Sequence, residues 1–100
     1  MAFANTGSLG VKPGKRDELV AILTRPSTEL AEAGCLLYEV GINEDEPDEV
    51  FVVELWESAE AHAASLRLET VKAAIGEAMP LLSGKMDGTR FTVIGSPLRN

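Results

Sequence analysis

Cysteine, histidine, tryptophan and tyrosine each occur once in these 100 residues. A lone Cys35 cannot close an internal disulfide, which fits a reducing compartment. One histidine and one cysteine also fall short of the three or four clustered ligands that a zinc or redox-metal site needs. Basic residues are few: nine against sixteen acidic ones, for a formal net charge of −7. They are scattered, so the Lys/Arg footprint that holds phosphate backbones is missing. The same charge does not suit an anionic membrane surface. No apolar run approaches the ~20 residues of a membrane span. The opening M-A-F-A-N-T-G-S-L-G lacks a basic region followed by an apolar run, so no signal peptide is expected. Pro13-Gly14-Lys15 and Ser83-Gly84-Lys85 lack the full phosphate-loop pattern and read as turns. No Gly-x-Gly-x-x-Gly fingerprint occurs, and no nucleophile elbow that would recruit His62. The expectation is an acidic cytoplasmic protein with no nucleic-acid or membrane partner. No metal or organic cofactor is encoded in a recognisable motif.

What is present describes a globular domain. Hydrophobic residues make up 45% and charged residues 25% of the chain, an ordinary balance. The length suits one domain over residues 1–100, which buries roughly two-thirds of its unfolded surface. Phe3 to Val11 alternates loosely as a first strand, and Gly7 and Gly10 within it mark a bulge or a close backbone approach. After the Pro13-Gly14 turn, Asp17 and Glu18 favour a helix start. Leu19, Ile22, Leu23, Leu30 and Ala33 form its apolar stripe. Pro26 should kink or break that helix near Thr24–Ser27, and Gly34 should stop it.

Cys35 to Ile42 reads as a second strand, with Leu36, Tyr38, Val40 and Ile42 on one face. The acidic stretch Asn43 to Glu49 is a solvated hairpin loop. Val50 to Trp56 is a third strand. Ser58 can cap a second helix, whose face is Leu68, Val71, Ala74, Ile75, Ala78 and Met79, ending at Pro80. Thr89 to Gly95 is a fourth strand. The order β-α-β-β-α-β predicts an α+β fold of the ferredoxin-like kind: a four-stranded antiparallel sheet with two helices on one face.

Such a sheet should be apolar on one face only. The third strand breaks that rule, with Phe51, Val53 and Leu55 on one side and Val50, Val52 and Trp56 on the other. Cys35 and Leu37 lie opposite the main row of the second strand. Two helices cannot cover both faces, and the uncovered one predicts a twofold homodimer packed sheet to sheet.

The chemistry-bearing residues left over form one small set: Trp56, His62, Tyr38 and Asn5. Each has a bland reading as well, since a lone Trp or Tyr is usually core and a lone helix His usually faces solvent. In order along the chain, V-K-P-G-K-R-D-E-L, G-C-L-L-Y-E-V, E-L-W-E-S-A-E-A-H and M-P-L-L-S-G resemble the antibiotic biosynthesis monooxygenase family. That family comprises dimeric α+β barrels and includes proteins assigned as quinol monooxygenases. The resemblance runs from about Thr6 to Gly95, and W-E-S-x-E-A-H is its most specific part. It implies oxidation of a small aromatic phenol or quinol by O2 without flavin, haem or metal, the deprotonated substrate supplying the electrons. Trp56 would then stack on the substrate ring and Asn5 would hydrogen-bond a substrate oxygen. Tyr38 or His62 would handle a proton, and imidazole titrates nearest neutrality. Two rival readings remain: a non-catalytic dimeric module that binds a small hydrophobic ligand, and a haem-binding or haem-degrading protein that uses His62.

Overall fold

The computed structural model describes residues 1–99. Four strands, β1 (Phe3–Val11), β2 (Cys35–Gly41), β3 (Glu49–Trp56) and β4 (Leu82–Thr92), form one sheet in the order β2-β3-β1-β4. Every neighbouring pair is antiparallel. Helical segments α1 (Arg16–Leu23), α2 (Thr28–Glu32), α3 (Ala59–Ser65) and α4 (Glu69–Ala78) pack on one face. This is the expected split β-α-β-β-α-β order, with each helical crossover divided in two.

The first division was legible in Pro26. α1 ends at Leu23, and Ser27 caps α2 by accepting a hydrogen bond from the Leu30 N–H. The second division has no proline or glycine to announce it. Ser58 caps α3 through the Ala61 N–H, as expected, but the helix stops at Ser65. There the Ser65 hydroxyl donates to the His62 carbonyl at 2.6 Å, and Leu68 turns extended before α4 begins. Leu68 therefore precedes the second apolar stripe instead of joining it. Pro80 does not end the run abruptly either; it sits in a 3-10 turn, Met79–Leu81, that leads directly into β4.

β4 differs most from its expected span of Thr89–Gly95. It begins at Leu82 and pairs with nearly all of β1. Its early residues Ser83, Gly84, Lys85 and Asp87 have turn chemistry, yet β1 offers a complete partner, and an edge strand tolerates polar side chains. β2 carries a bulge at Leu36: Cys35 pairs with Trp56, while Leu37 pairs with Leu55. The extra residue puts Cys35 beside Trp56, not on the face of Leu37, and leaves Leu36 exposed.

The core lies between sheet and helices. Val11, Leu19, Val50 and Ala78 are its buried centre, with Leu9, Val40 and Leu82 packed around them. Full burial of a Leu or Val side chain contributes about 1.5–3 kcal/mol, so α1 is docked largely through Leu19. β3 shows which face is which. Val50 and Trp56 are 0% and 1% exposed, whereas Val53 is 48% exposed on the opposite face.

Candidate functional site

Four residues at one register position cross the whole sheet. Tyr38 of β2 pairs with Glu54 of β3, Glu54 with Asn5 of β1, and Asn5 with Arg90 of β4. Glu54 shares the helix-facing side with Val50 and Trp56 and is itself buried. A buried carboxylate is costly unless its oxygens are hydrogen-bonded, and these are. Oε1 accepts from the Trp56 indole N–H at 3.0 Å, and Oε2 accepts from Asn5 Nδ2 at 2.8 Å.

His62 completes the cluster. Midway along α3, it is carried back over the end of the sheet, where it is 8% exposed. Its ring packs edge-on against Trp56 at 5.4 Å and tilted against Phe3 at 5.6 Å. Nε2 lies 3.9 Å from Glu54 Oε1, a charge-range contact and too long for a hydrogen bond. Tyr38 flanks the carboxylate on the other side. Burial, reinforced by Glu54 and Cys35, pushes its phenol up to about 12. It is therefore a hydroxyl donor at neutral pH. Burial likewise pushes the Cys35 thiol up, with Glu54 adding to the effect.

Next to this cluster, on the same sheet face, lies an open-sided cavity of about 440 Å³, lined by strand residues alone. That volume suits a small organic molecule. Its polar end is Asn5 and Arg90; Leu9, Val52 and Met86 supply apolar wall. Its floor is the facing pair Gly7 and Gly88. A Cβ on Gly7 would run into the Asp87 carbonyl oxygen, and one on Gly88 would lie 2.8 Å from the Thr6 carbonyl oxygen. The close backbone approach expected of Gly7 is thus real, and it leaves bare peptide between the Asn5–Arg90 row and Leu9–Met86.

The structure therefore gathers Asn5, Tyr38, Trp56 and His62 into one place, with different exposures. Asn5 borders the cavity. Trp56 is sealed, with its indole N–H engaged by Glu54, so it props the carboxylate and the imidazole instead of offering a face to a ligand ring. Trp56 and His62 are a packed pair behind Asn5, not two walls of an open pocket. The residue that joins the set, Glu54, was missing from the sequence reading. Its signal was available: a charged residue between Val52 and Trp56 on the face of a strand that carries the core. Arg90 had no such signal, because the expected β4 gave no register to place it beside Asn5. Among the described residues no cluster of His, Cys, Asp and Glu has metal-holding geometry.

Fold and site together define a class: a ferredoxin-like α+β unit with a buried polar cluster beside a cavity on its helix-facing sheet surface. The family model for antibiotic biosynthesis monooxygenases matches residues 2–77, and the chain belongs to that family. A structure from Chloroflexus aurantiacus named for the same family is 34% identical, covering 96% of this chain and 97% of its own at a TM-score of 0.80. Protein SO0527 of Shewanella oneidensis is 27% identical, over 90% of this chain and 88% of its own, at a TM-score of 0.76. Rv0793 of Mycobacterium tuberculosis shares the fold at a TM-score of 0.81, with 20% identity over 97% of this chain and 99% of its own. No curated protein matches the chain. The family supports a monooxygenase-like function in general terms. No helix among the described residues is long and apolar enough to cross a membrane.

Proposed function

We propose that this chain is a cofactor-independent monooxygenase that oxidises a small aromatic phenol or quinol with dioxygen. The observation that carries the reading is the fixed amide of Asn5. Because Nδ2 donates to Glu54, the carbonyl oxygen Oδ1 is the end left to a ligand, and Asn5 borders the cavity. A substrate hydroxyl donating to Oδ1 lays its ring over the glycine floor, against Val52 and Leu9. Removal of the phenolic proton raises the electron density of the ring enough for transfer to dioxygen. For an anthrone-like phenol the balance is one O2 consumed, one oxygen atom placed on the ring carbon that loses two hydrogens, and one water released. All four electrons come from the substrate.

The proton leaves toward the polar cluster. Tyr38, held protonated to about 12, acts as a donor and not as the base. The Asn5 amide relays it in this reading: Oδ1 takes the phenolic proton as Nδ2 passes one to Glu54 Oε2, and His62 lies 3.9 Å from the other carboxylate oxygen. Trp56 sets the positions of Glu54 and His62. The haem reading needs a His62 nitrogen open to iron, and a ring packed on Trp56 and Phe3 with Nε2 toward Glu54 does not favour it. In the same proposal residues 1–100 act as one domain, paired with a second copy through the open sheet face.

The test is oxygen uptake by metal-stripped protein on a panel of hydroquinones and anthrone-like phenols. Uptake above autoxidation is expected, falling roughly a hundredfold in Asn5→Ala, the size of loss typical for one oriented polar group. If the compounds bind and no oxygen is consumed, the chain is a binding module. Uptake unchanged in Asn5→Ala would remove the site from the reaction.

A further inference from the structure

Arg90 is the one cationic side chain on the wall of the cavity, in a chain of net charge −7. Register puts it directly beside Asn5, one strand further from Glu54. The ion pairs of the described residues join other basic groups to carboxylates, namely Lys15, Arg16, Arg25, His62, Lys72 and Lys85. Arg90 takes no part in them. Asp87, also on the cavity rim, pairs across β1 with Ser8 and so belongs by register to the other sheet face. The polar end of the cavity thus offers two complementary groups side by side. Asn5 Oδ1 accepts, because its Nδ2 is committed to Glu54. The Arg90 guanidinium only donates, in a planar fork that matches two oxygens.

We propose that the ligand of this cavity is an acidic hydroxyaromatic, a ring carrying a phenolic hydroxyl and a carboxylate. Its hydroxyl donates to Asn5 and its carboxylate sits on Arg90. The ring then covers the Gly7–Gly88 floor, where the missing side chains leave a flat surface, and its far edge meets Leu9 and Met86. A neutral phenol would fill the same space and leave the guanidinium without its partner. Arg90 is thus a specificity-determining residue that selects the substrate class. The inference rests on the oxygenase reading for what happens to the ligand, but not for how it binds.

The experiment therefore separates the two. Calorimetric titration under argon compares 2,5-dihydroxybenzoate with its methyl ester, which keeps the ring and both hydroxyls and removes the charge. The acid is expected to bind at least about tenfold tighter than the ester, the scale of one charge-assisted hydrogen bond. Arg90→Gln should collapse that preference to near unity, and Arg90→Lys should retain part of it. Arg90 is exposed on an edge strand, so both variants are expected to fold, and circular dichroism checks this. A preference absent in the parent protein, a preference unchanged in Arg90→Gln, or failure of both compounds to bind overturns the inference. Oxygen uptake on the same pair is measured separately. Arg90-dependent binding without uptake leaves this inference standing and refutes the oxygenase; uptake with no preference for the acid does the reverse.

Discussion

Glu54 is the residue whose replacement tells most, because two substitutions with similar loss of charge should behave differently. Glu54→Ala leaves the Trp56 indole N–H and the Asn5 Nδ2–H facing each other across an empty space. The buried indole N–H left without an acceptor costs about 1–3 kcal/mol, and the half-buried Asn5 amide adds a smaller loss. Relief from burying the carboxylate offsets part of that. A net loss of about 3 kcal/mol is expected, a fall in Tm on the order of 15 °C for a chain of this length. Glu54→Gln keeps the shape. The new carbonyl can accept from Trp56, and the new amide N–H can donate to Asn5 if the Asn5 side chain turns over. Both hydrogen bonds survive as neutral ones, and the stability change should stay within about 1 kcal/mol. The turned Asn5, however, now offers an N–H to the cavity where it had offered an oxygen. Oxygen uptake, or binding of a hydroxyaromatic, should then fall at least about tenfold in a protein that melts almost normally. Thermal melting and uptake measured together decide the matter. If Glu54→Gln destabilises as much as Glu54→Ala, or keeps full activity, the amide is not held as described.

Two further perturbations test the surroundings of the site. Tyr38 should give its phenolate absorbance only as pH approaches about 12. An acid whose folded pKa lies above its unfolded value binds more protons when folded, so stability should decline from the unfolded value of 10.0 upward to about 12; a phenolate signal near pH 10 in folded protein would contradict this burial. Gly7→Ala should cost about 1–3 kcal/mol in urea unfolding, because its Cβ meets strand backbone that cannot rotate away. Gly41→Ala, with open space at the same atom, is the control and should stay within about 1 kcal/mol; equal costs would refute the close approach of β1 and β4.

How far the sequence reached depended on whether a feature was local. The order of strands and helices along the chain, the Pro26 break and the Ser58 cap follow from residue types at fixed offsets, and all were readable. The site was readable only where a residue is rare: Trp56 and His62 stand out because the chain has one of each. Glu54 was hidden by its commonness, one of sixteen acidic residues, although its position between Val52 and Trp56 set it apart. Arg90, the bulge at Leu36 and the early start of β4 depend on long-range pairing. Nothing in the residues from Leu82 to Gly88 announces a strand; β1 imposes it. The cavity floor needed that pairing too, since Gly7 is an ordinary glycine until Gly88 lies opposite.

One row of the sheet is polarised against expectation, although the rest of the helix-facing side carries the core, and that local inversion bears on assembly. Facing the helices is the row Tyr38, Glu54, Asn5 and Arg90. One position along, facing away from them, is the row Leu37, Leu55, Ala4 and Phe91. A monomer gains from the opposite arrangement, with apolar rows inside and polar rows outside. The inner row is explained if it serves a ligand. The outer row is explained if another surface covers it, and a second copy of the same face supplies a matching apolar surface by twofold symmetry. Val53 lies one row further along that face and is 48% exposed, so an aspartate there is tolerated by an isolated chain and not by a sheet-to-sheet pair. Sedimentation should give about twice the chain mass of 10.7 kDa for the parent protein, and the single mass for Val53→Asp with its circular dichroism unchanged. A parent protein that sediments at the single mass at every concentration would mean that Leu37, Val53 and Phe91 face water, and the inversion would then need another cause.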